Sequence, residues 1–322
     1  MLFRSGSFGE TMGAVWRKIA DLLAITFIAV GVTLTFDTFL IYLTTLFLIF
    51  TIFALAYNII LGYLKLVSFG HSLFFAAGAY GVALFATWVV PDMLLSFLFG
   101  IVLAAVLALI VGYITLRHSQ IYFAMLTLAL AMLFYALLVK WRDITGGSDG
   151  ISGIPRVSTL FSFPTTETYY LFVLGCFVVS FIILKLIDVS FIGLIFRALG
   201  DNESRFKFLG YNPVKYRILA LVVSGTFSGL AGALYALLYR AVTPDVAYWT
   251  VAAEPLVMSL LGGSAHFMGP VIGAAVFVGL TTATARLAEI WQLVMGLIIA
   301  ALLLGARGGI LGVMERLWRK RF

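Results

Sequence analysis

Charge is scarce in this chain. Asp, Glu, Lys and Arg make up 11% of its 322 residues, whereas hydrophobic residues make up 63%. Mean hydropathy is +1.11, which excludes a soluble domain and places the chain among integral membrane proteins. Cysteine is nearly absent. The single Cys176 lies inside an apolar run, reads as a small core or lipid-facing residue, and excludes both an internal disulfide and a multi-Cys metal site. The three histidines, His71, His118 and His266, have no carboxylate pair at helical spacing beside them, so no catalytic or metal-binding residue is assigned. No GxxxxGK[ST] phosphate loop occurs, so any ATP used must bind to another subunit. The net charge of +7 does not imply nucleic acid, because the basic residues gather at the ends of apolar runs and in one connecting loop.

Apolar runs take up the rest. Charge-free stretches long enough to cross a bilayer as a helix, roughly 17 to 25 residues, lie within 20–36, 38–64, 66–91, 93–116, 118–139, 168–187, 218–239 and 290–306. They lack the alternation of a membrane barrel, and helices satisfy their own backbone groups in lipid. The fold class is therefore an all-α polytopic integral membrane protein with roughly eight to ten transmembrane or partial helices. Arg4, Arg17 and Lys18 precede the first run as in a secretory signal, but no small-x-small cleavage site follows, so that run is expected to stay as a span. A cytoplasmic N-terminus puts Lys65, Arg117, the 188–217 loop and the tail RLWRKRF inside. It puts Asp37, Asp92 and the 142–167 loop outside, in agreement with the positive-inside rule. Both termini are then cytoplasmic. All six tryptophans fall near predicted span ends, as an interfacial belt requires.

This topology constrains 255–285, which must cross an even number of times or dip and return. The stretch LGGSAHFMGP, 261–270, supplies the break with Gly262, Gly263, Gly269 and Pro270, so two short or partial helices are expected. A related break lies in LGYLKLVSFGHSLFFAAGAYG, 61–81. His71 precedes Gly78 and Ala79 at the spacing by which His266 precedes Gly273 and Ala274. Two matched, glycine-interrupted segments are the trace of an internal repeat around a central path. Chance is the competing reading for so short a match.

The polar segment RALGDNESRFKFLGYNPVKYR, 197–217, stands out against this background. Asn202 to Phe208 alternates like a short amphipathic helix, stopped by Gly210 with Pro213 beyond. An ordinary connector is the plain reading; a basic helix built to meet a soluble partner is the sharper one. His118, beside Arg117, reads as interfacial. His71 and His266 either pack against backbone carbonyls, the first reading, or line a transport path. Glu254, before Pro255, is read as a helix N-terminal cap ahead of a substrate or proton site. Arg286 and Glu289 read as an interfacial pair. The loop ITGGSDGISGIP, 144–155, is either flexible or a structured docking edge for an extracytoplasmic partner. Gly225, Gly229 and Gly232 share one helix face and read as a close packing surface.

An ion- or proton-coupled secondary transporter would need titratable residues inside the spans, and few occur there. An intramembrane enzyme would need a Ser–His, double-Asp or His–Glu constellation, and none stands out. A passive channel leaves the patterned basic loop without a purpose.

Taken together, NIILGYLKLVSFGHSLFFAAGAYG (58–81), IYFAMLTLAL (121–130), TGGSDGISGIP (145–155), the 197–237 segment, SLLGGSAHFMGPVIGA (259–274) and GARGGILG (305–312) resemble the permease subunits of ABC importers for branched-chain amino acids. The likeness is to the LivM type more than to LivH, and covers most of the chain from about residue 50 onward. It implies one transmembrane permease domain over 1–322 in a bacterial-type inner membrane, with 188–217 as its cytoplasmic coupling loop. It implies a second, LivH-like permease, two cytoplasmic ATPase subunits that use ATP and Mg, and an extracytoplasmic substrate-binding protein. No cofactor is expected on this chain itself.

The resemblance assigns ATPase coupling to Arg197, Asp201, Asn202, Glu203, Arg205, Lys207 and Gly210. Glu203 and Gly210 stand roughly where importer permeases carry an acidic residue and a glycine, although the spacing departs from the general EAA pattern. Ser68, Gly70, His71, Gly78, Gly262, Gly263 and His266 become the translocation-path candidates. Lys65 departs from the small or polar residue expected there, and either alters the path or snorkels to the inner interface. Urea, short-chain amides and aromatic acids remain open beside branched-chain amino acids, because such permeases serve all of them.

Overall fold

The structure, a computed structural model, describes residues 37–116, 120–156 and 165–284, together with 296–297, 300 and 308–312. The predicted span at 20–36, almost all of that at 290–306, His118, the Arg286–Glu289 pair and the basic tail lie outside the described residues.

Helix ends fall where the sequence supplies a cap. Helix α1, Thr38–Asn58, starts at Asp37, whose carboxylate accepts from Phe39 N at 2.9 Å. It runs into a π-helical turn, Ile59–Tyr63. After an irregular stretch, α2 covers His71–Trp88 and α3 covers Met93–Thr115, capped by Asp92 through Leu94 N at 2.9 Å. Capping of this kind satisfies amide hydrogens that the first turn leaves without partners. Helix α4 is Gln120–Lys140 and α5 is Thr166–Val189. Two short helices follow, α6 (Phe191–Asp201) and α7 (Glu203–Phe208), then the long α8, Pro213–Tyr239. Helices α9, Trp249–Gly262, and α10, Gly269–Thr284, close the described bundle.

Among the described residues, five helices are long and apolar enough to cross a membrane: α1 with its π turn, α3, α4, α5 and α8. The span expected over 66–91 is shorter than its apolar run. Lys65 adopts a left-handed backbone (φ 56°), and the helix forms only from His71. The 255–285 run divides as expected. Helix α9, of 14 residues, and α10, described as far as Thr284, form a hairpin. Its tip reaches far into the bundle, since a Cβ on Gly62 would stand 2.4 Å from the Ser264 carbonyl oxygen. The two broken segments of the sequence therefore touch.

Among the described helices, α2, α3 and α8 pack especially closely. A Cβ at Gly78 would lie 1.9 Å from the Gly229 carbonyl oxygen, so α2 and α8 approach backbone to backbone. Gly225 and Gly229 receive the methyl groups of Ala108 and Ala104 from α3, the close approach that small residues permit.

At the end of the bundle opposite α6 and α7, strand β1 (Ile151–Ser152) pairs antiparallel with β2 (Ala241–Val242). Thr145 Oγ1 donates to Leu138 O at 2.6 Å, and buried Arg156 donates from Nε to Leu237 O at 2.6 Å while stacking 4.5 Å from the Tyr169 ring centre. The 144–155 loop is thus held in place and is not the flexible connector that its glycines allow. Glu254 is the sixth residue of α9, behind Tyr248 at the cap position, so it is not the N-terminal cap that the adjacent proline suggests.

Candidate functional site

The segment 188–217 is built from two helices, each with its own cap. Ser190 Oγ accepts from Gly193 N at 3.4 Å to open α6, and Asn202 Oδ1 accepts from Arg205 N at 2.9 Å to open α7. Gly210 closes α7 in a left-handed conformation (φ 84°), its amide donating to Lys207 O at 2.9 Å. Asn212 and Pro213 then start α8. A rigid corner results.

The acidic residues of this segment are paired, Glu203 part-buried and Asp201 at the surface. Glu203 pairs with Lys207 at 2.9 Å and with Arg217 of α8 at 2.6 Å. The hydrogen bond from Lys207, followed by the Arg217 charge, holds the Glu203 carboxyl below the usual carboxylate range. Asp201 pairs with Lys65 at 2.6 Å. Arg197 binds Asp188 through its guanidinium and lies 4.4 Å from the centre of the Tyr63 ring. These contacts fasten α6 and α7 to the rest of the bundle. Lys65, which departs from the sequence pattern, is part of that fastening.

Asp188 is the centre of the fastening. It is buried, and it accepts from Tyr63 Oη at 2.9 Å, Lys185 Nζ at 2.5 Å and Arg197. Lys185 in turn sits 4.1 Å above the Phe267 ring at the tip of the α9–α10 hairpin. One carboxylate thus joins α6, the π turn of α1, and, through Lys185, the hairpin. With α5, which carries Asp188 and Lys185, four elements of the bundle meet here.

The exposed side of α7 and its C-cap carries two apolar side chains among polar and basic ones. Phe206 is buried against Tyr211 and Tyr216, with ring centres 5.4 and 5.7 Å away. Phe208 is 91% exposed and Leu209 69% exposed, beside exposed Arg205 and Lys207. Sequence reasoning singled out the charges and passed over these two. The signal was present, because residues two apart on an α-helix point about 200° apart, so Phe206 and Phe208 cannot share one buried face.

The path candidates form two groups. In the first, His71 is fully buried, with Nδ1 2.9 Å from Ser68 Oγ and Nε2 2.8 Å from Ser224 Oγ. Ser224 donates onward to Ala56 O at 2.6 Å, and Tyr57 donates to Ser68 O at 3.0 Å. Gly70 packs against Thr127 of α4, and Gly78 lies in the α2–α8 seam. His71 therefore holds α1, α2 and α8 together. The second group is the hairpin turn, where Gly262 meets the Gly269 backbone and Gly263 takes φ 107°. His266 N donates to Gly263 O at 3.3 Å, and the His266 side chain is part-buried. The groups meet through Gly62 and Ser264. Among the described residues, no three His, Cys, Asp or Glu side chains converge as a metal site would need.

Apolar spans, a glycine-broken hairpin and a braced helical corner at one end fit a multi-pass membrane transport subunit. The profile of the family described as branched-chain amino acid transport system / permease component matches residues 39–303, and the chain belongs to that family. It is 25% identical to the high-affinity branched-chain amino acid transport system permease protein LivM of Escherichia coli, over 83% of this chain and 68% of that protein. It is 26% identical to a probable LivM of Methanocaldococcus jannaschii, over 56% of this chain and 53% of the relative. It also resembles the guanosine ABC transporter permease protein NupQ of Bacillus subtilis, at 28% identity over 40% of this chain and 39% of that one. No solved structure matches the chain.

Proposed function

We propose that the chain is one of two permease subunits in the inner membrane of a branched-chain amino acid importer, with the α6–α7 corner in the cytoplasm as its coupling element. The observation that carries this reading is the pairing of exposed Phe208 and Leu209 with a corner fastened on its other side through Glu203, Asp201 and Arg197. An apolar knob on a rigid mount fits a groove on a soluble ATPase, while Arg205 and Lys207 supply a basic rim. Hot spots of this type are few, apolar and central. The second permease is LivH-like, and a binding protein meets the opposite end, where the β1–β2 pair orders the loop.

ATP and Mg act on the partner ATPases in this scheme. When those subunits close, α6 and α7 move with them, and the Asp188 cluster carries the displacement to the π turn and to the hairpin tip. An apolar amino acid needs apolar walls, with a few dipoles for its charged ends. The broken hairpin turn at Gly262–His266 offers backbone dipoles of this kind.

The test is a mild-detergent pull-down of the tagged chain, followed by uptake of labelled leucine. ATPase subunits should co-purify with the native chain and be lost with Phe208→Ser. A chain that purifies without any ATPase, and transports with the altered loop, removes the proposal. Leucine uptake that guanosine outcompetes would move the substrate reading towards nucleosides.

A further inference from the structure

Where the two broken segments touch, a buried polar atom has no partner. Asn58 is the last residue of α1, at the entry to the π turn, and is 2% exposed. Its Oδ1 accepts no hydrogen bond among the described residues. A buried amide oxygen without a donor is costly, and a polar group placed so in a membrane protein points to function. The other buried side-chain atoms in this condition are the hydroxyls of Ser72, Tyr80 and Ser180, which can turn to donate. The Asn58 oxygen can only accept.

A second acceptor stands beside it. Gly62 lies one turn further on, and a Cβ there would be 2.7 Å from Asn58 Oδ1 and 2.4 Å from the Ser264 carbonyl oxygen. That oxygen, in the hairpin turn, likewise accepts no hydrogen bond among the described residues. Two free oxygens thus flank the bare Cα of Gly62, and Gly62 and Ser264 are both part-exposed. Any larger residue at 62 would fill the space between them. Both oxygens also lie at helix C-termini. Helix α1 ends through its π turn at Tyr63, and α9 ends at Gly262, just before Ser264. The negative ends of two helix dipoles therefore meet here, a setting that favours a cation. Turns of π type, and the C-terminal ends of interrupted membrane helices, recur at such sites. Both sides are held from behind. A Cβ on Gly200 of α6 would stand 2.1 Å from the Tyr63 carbonyl oxygen, and one on Gly263 would stand 2.6 Å from that of Gly308. Lys65 and Arg197, the cations of this region, are paired with Asp201 and Asp188.

We propose that Asn58 Oδ1 and the Ser264 carbonyl oxygen, kept bare by Gly62, bind the ammonium group of the transported amino acid as it passes the hairpin turn. The assignment rests on the amino-acid reading above and supplies the atoms that reading lacked. An ammonium group has three hydrogens to donate, and two acceptors await it here. Neutral oxygens at helix ends hold its charge without a fixed carboxylate, so the substrate can also leave. A substrate that offers only a carboxylate meets two acceptors and is repelled.

The experiment uses the complex of permease and ATPase subunits in lipid nanodiscs and measures displacement of labelled leucine. Isoamylamine, which keeps the ammonium and the branched chain, should displace leucine; isocaproate, which keeps the carboxylate and the branched chain, should not. The opposite order overturns the assignment. Asn58→Ala should weaken leucine binding by about ten- to a hundredfold, the span of a hydrogen bond to a charged group. Asn58→Asp, which keeps an acceptor and adds charge, should bind leucine at least as tightly as the native complex and raise the preference for isoamylamine. The Asp variant separates ligand binding from packing. If the Asn58 amide turns to donate from Nδ2 to Ser264 as a structural latch, Asp is as damaging as Ala, and the assignment falls. Native leucine affinity in Asn58→Ala also overturns it and leaves the amino-acid importer standing. If Asn58→Ala fails to assemble, Asn58→Asp decides alone: a raised preference for isoamylamine supports the site, and an unchanged one overturns it. A native complex that neither binds nor transports any branched-chain amino acid overturns the substrate reading, and the ammonium site with it.

Discussion

Tyr63 donates its hydroxyl hydrogen to Asp188 Oδ1 at 2.9 Å, across 125 residues of chain. The bond joins the π turn at the end of α1 to the last turn of α5, immediately before the chain enters α6. Tyr63→Phe removes one hydrogen bond to a charged group and should cost about 1.5–3 kcal/mol. Asp188→Ala strands Lys185 and Arg197 in a part-buried position and should cost about 3–5 kcal/mol. Thermal unfolding in detergent should rank native above Tyr63→Phe, and Tyr63→Phe above Asp188→Ala. An Asp188→Ala protein as stable as the native one would remove Asp188 from the centre of the fastening.

The two phenylalanines of α7 should separate folding from partner binding. Phe206 is buried, so Phe206→Ala should destabilise the corner by about 3–5 kcal/mol. Phe208→Ala should leave the melting temperature of the isolated chain unchanged and reduce ATPase recovery in the same preparation. Loss of stability in both variants would mean that Phe208 packs within the chain.

Glu203 gives the corner a pH dependence of known sign. Its folded-state pKa lies below the unfolded value of 4.5, mainly because Lys207 donates to it and Arg217 stands beside it. A depressed carboxyl contributes stability above the unfolded pKa and loses it as pH falls through the folded one. Hydrogen exchange of the α7 amides should therefore be flat above pH 4.5 and quicken below it, after correction for intrinsic exchange. In Glu203→Gln the acid step should vanish. A step that persists in the Gln variant would assign it to another group.

Enlarging the α2–α8 seam should be poorly tolerated. Gly78→Ala places a methyl group against the Gly229 backbone, which cannot rotate away. A cost of about 1–3 kcal/mol is expected for such overpacking, read as an earlier melt in size-exclusion analysis after heating. Gly175→Ala is the control, because a Cβ there meets nothing within 4 Å.

The parts of this architecture that were legible in sequence are those written locally. Asp37, Asp92 and Asn212 stand at helix starts, and Gly210 with Pro213 marks where α7 must stop. Four helix-breaking residues in ten divide 255–285. The direction of the charges was not written locally. Asp201 finds Lys65 and Arg217 finds Glu203 only after the chain has folded back on itself, and such pairings leave no periodic trace. Glu254 beside Pro255 reads as a cap for the same reason, because the sequence does not say that α9 begins at Trp249. Lys65 looked like an exception to a pattern, and it is a tether.

The seam of small residues along α8 also works as a ruler. Gly225 faces Phe74 and Ala108, Gly229 faces the Gly78 region and Ala104, and Gly232 faces the Phe75 backbone. A slip of one turn, about 5.4 Å, would bring Leu221 or Ala233 to stations that leave no room for a side chain. The interlocked trio α2, α3 and α8 therefore has a single register and is built to act as one block. A covalent bridge across its seam would be mechanically silent, and any transport stroke has to be absorbed at its edges.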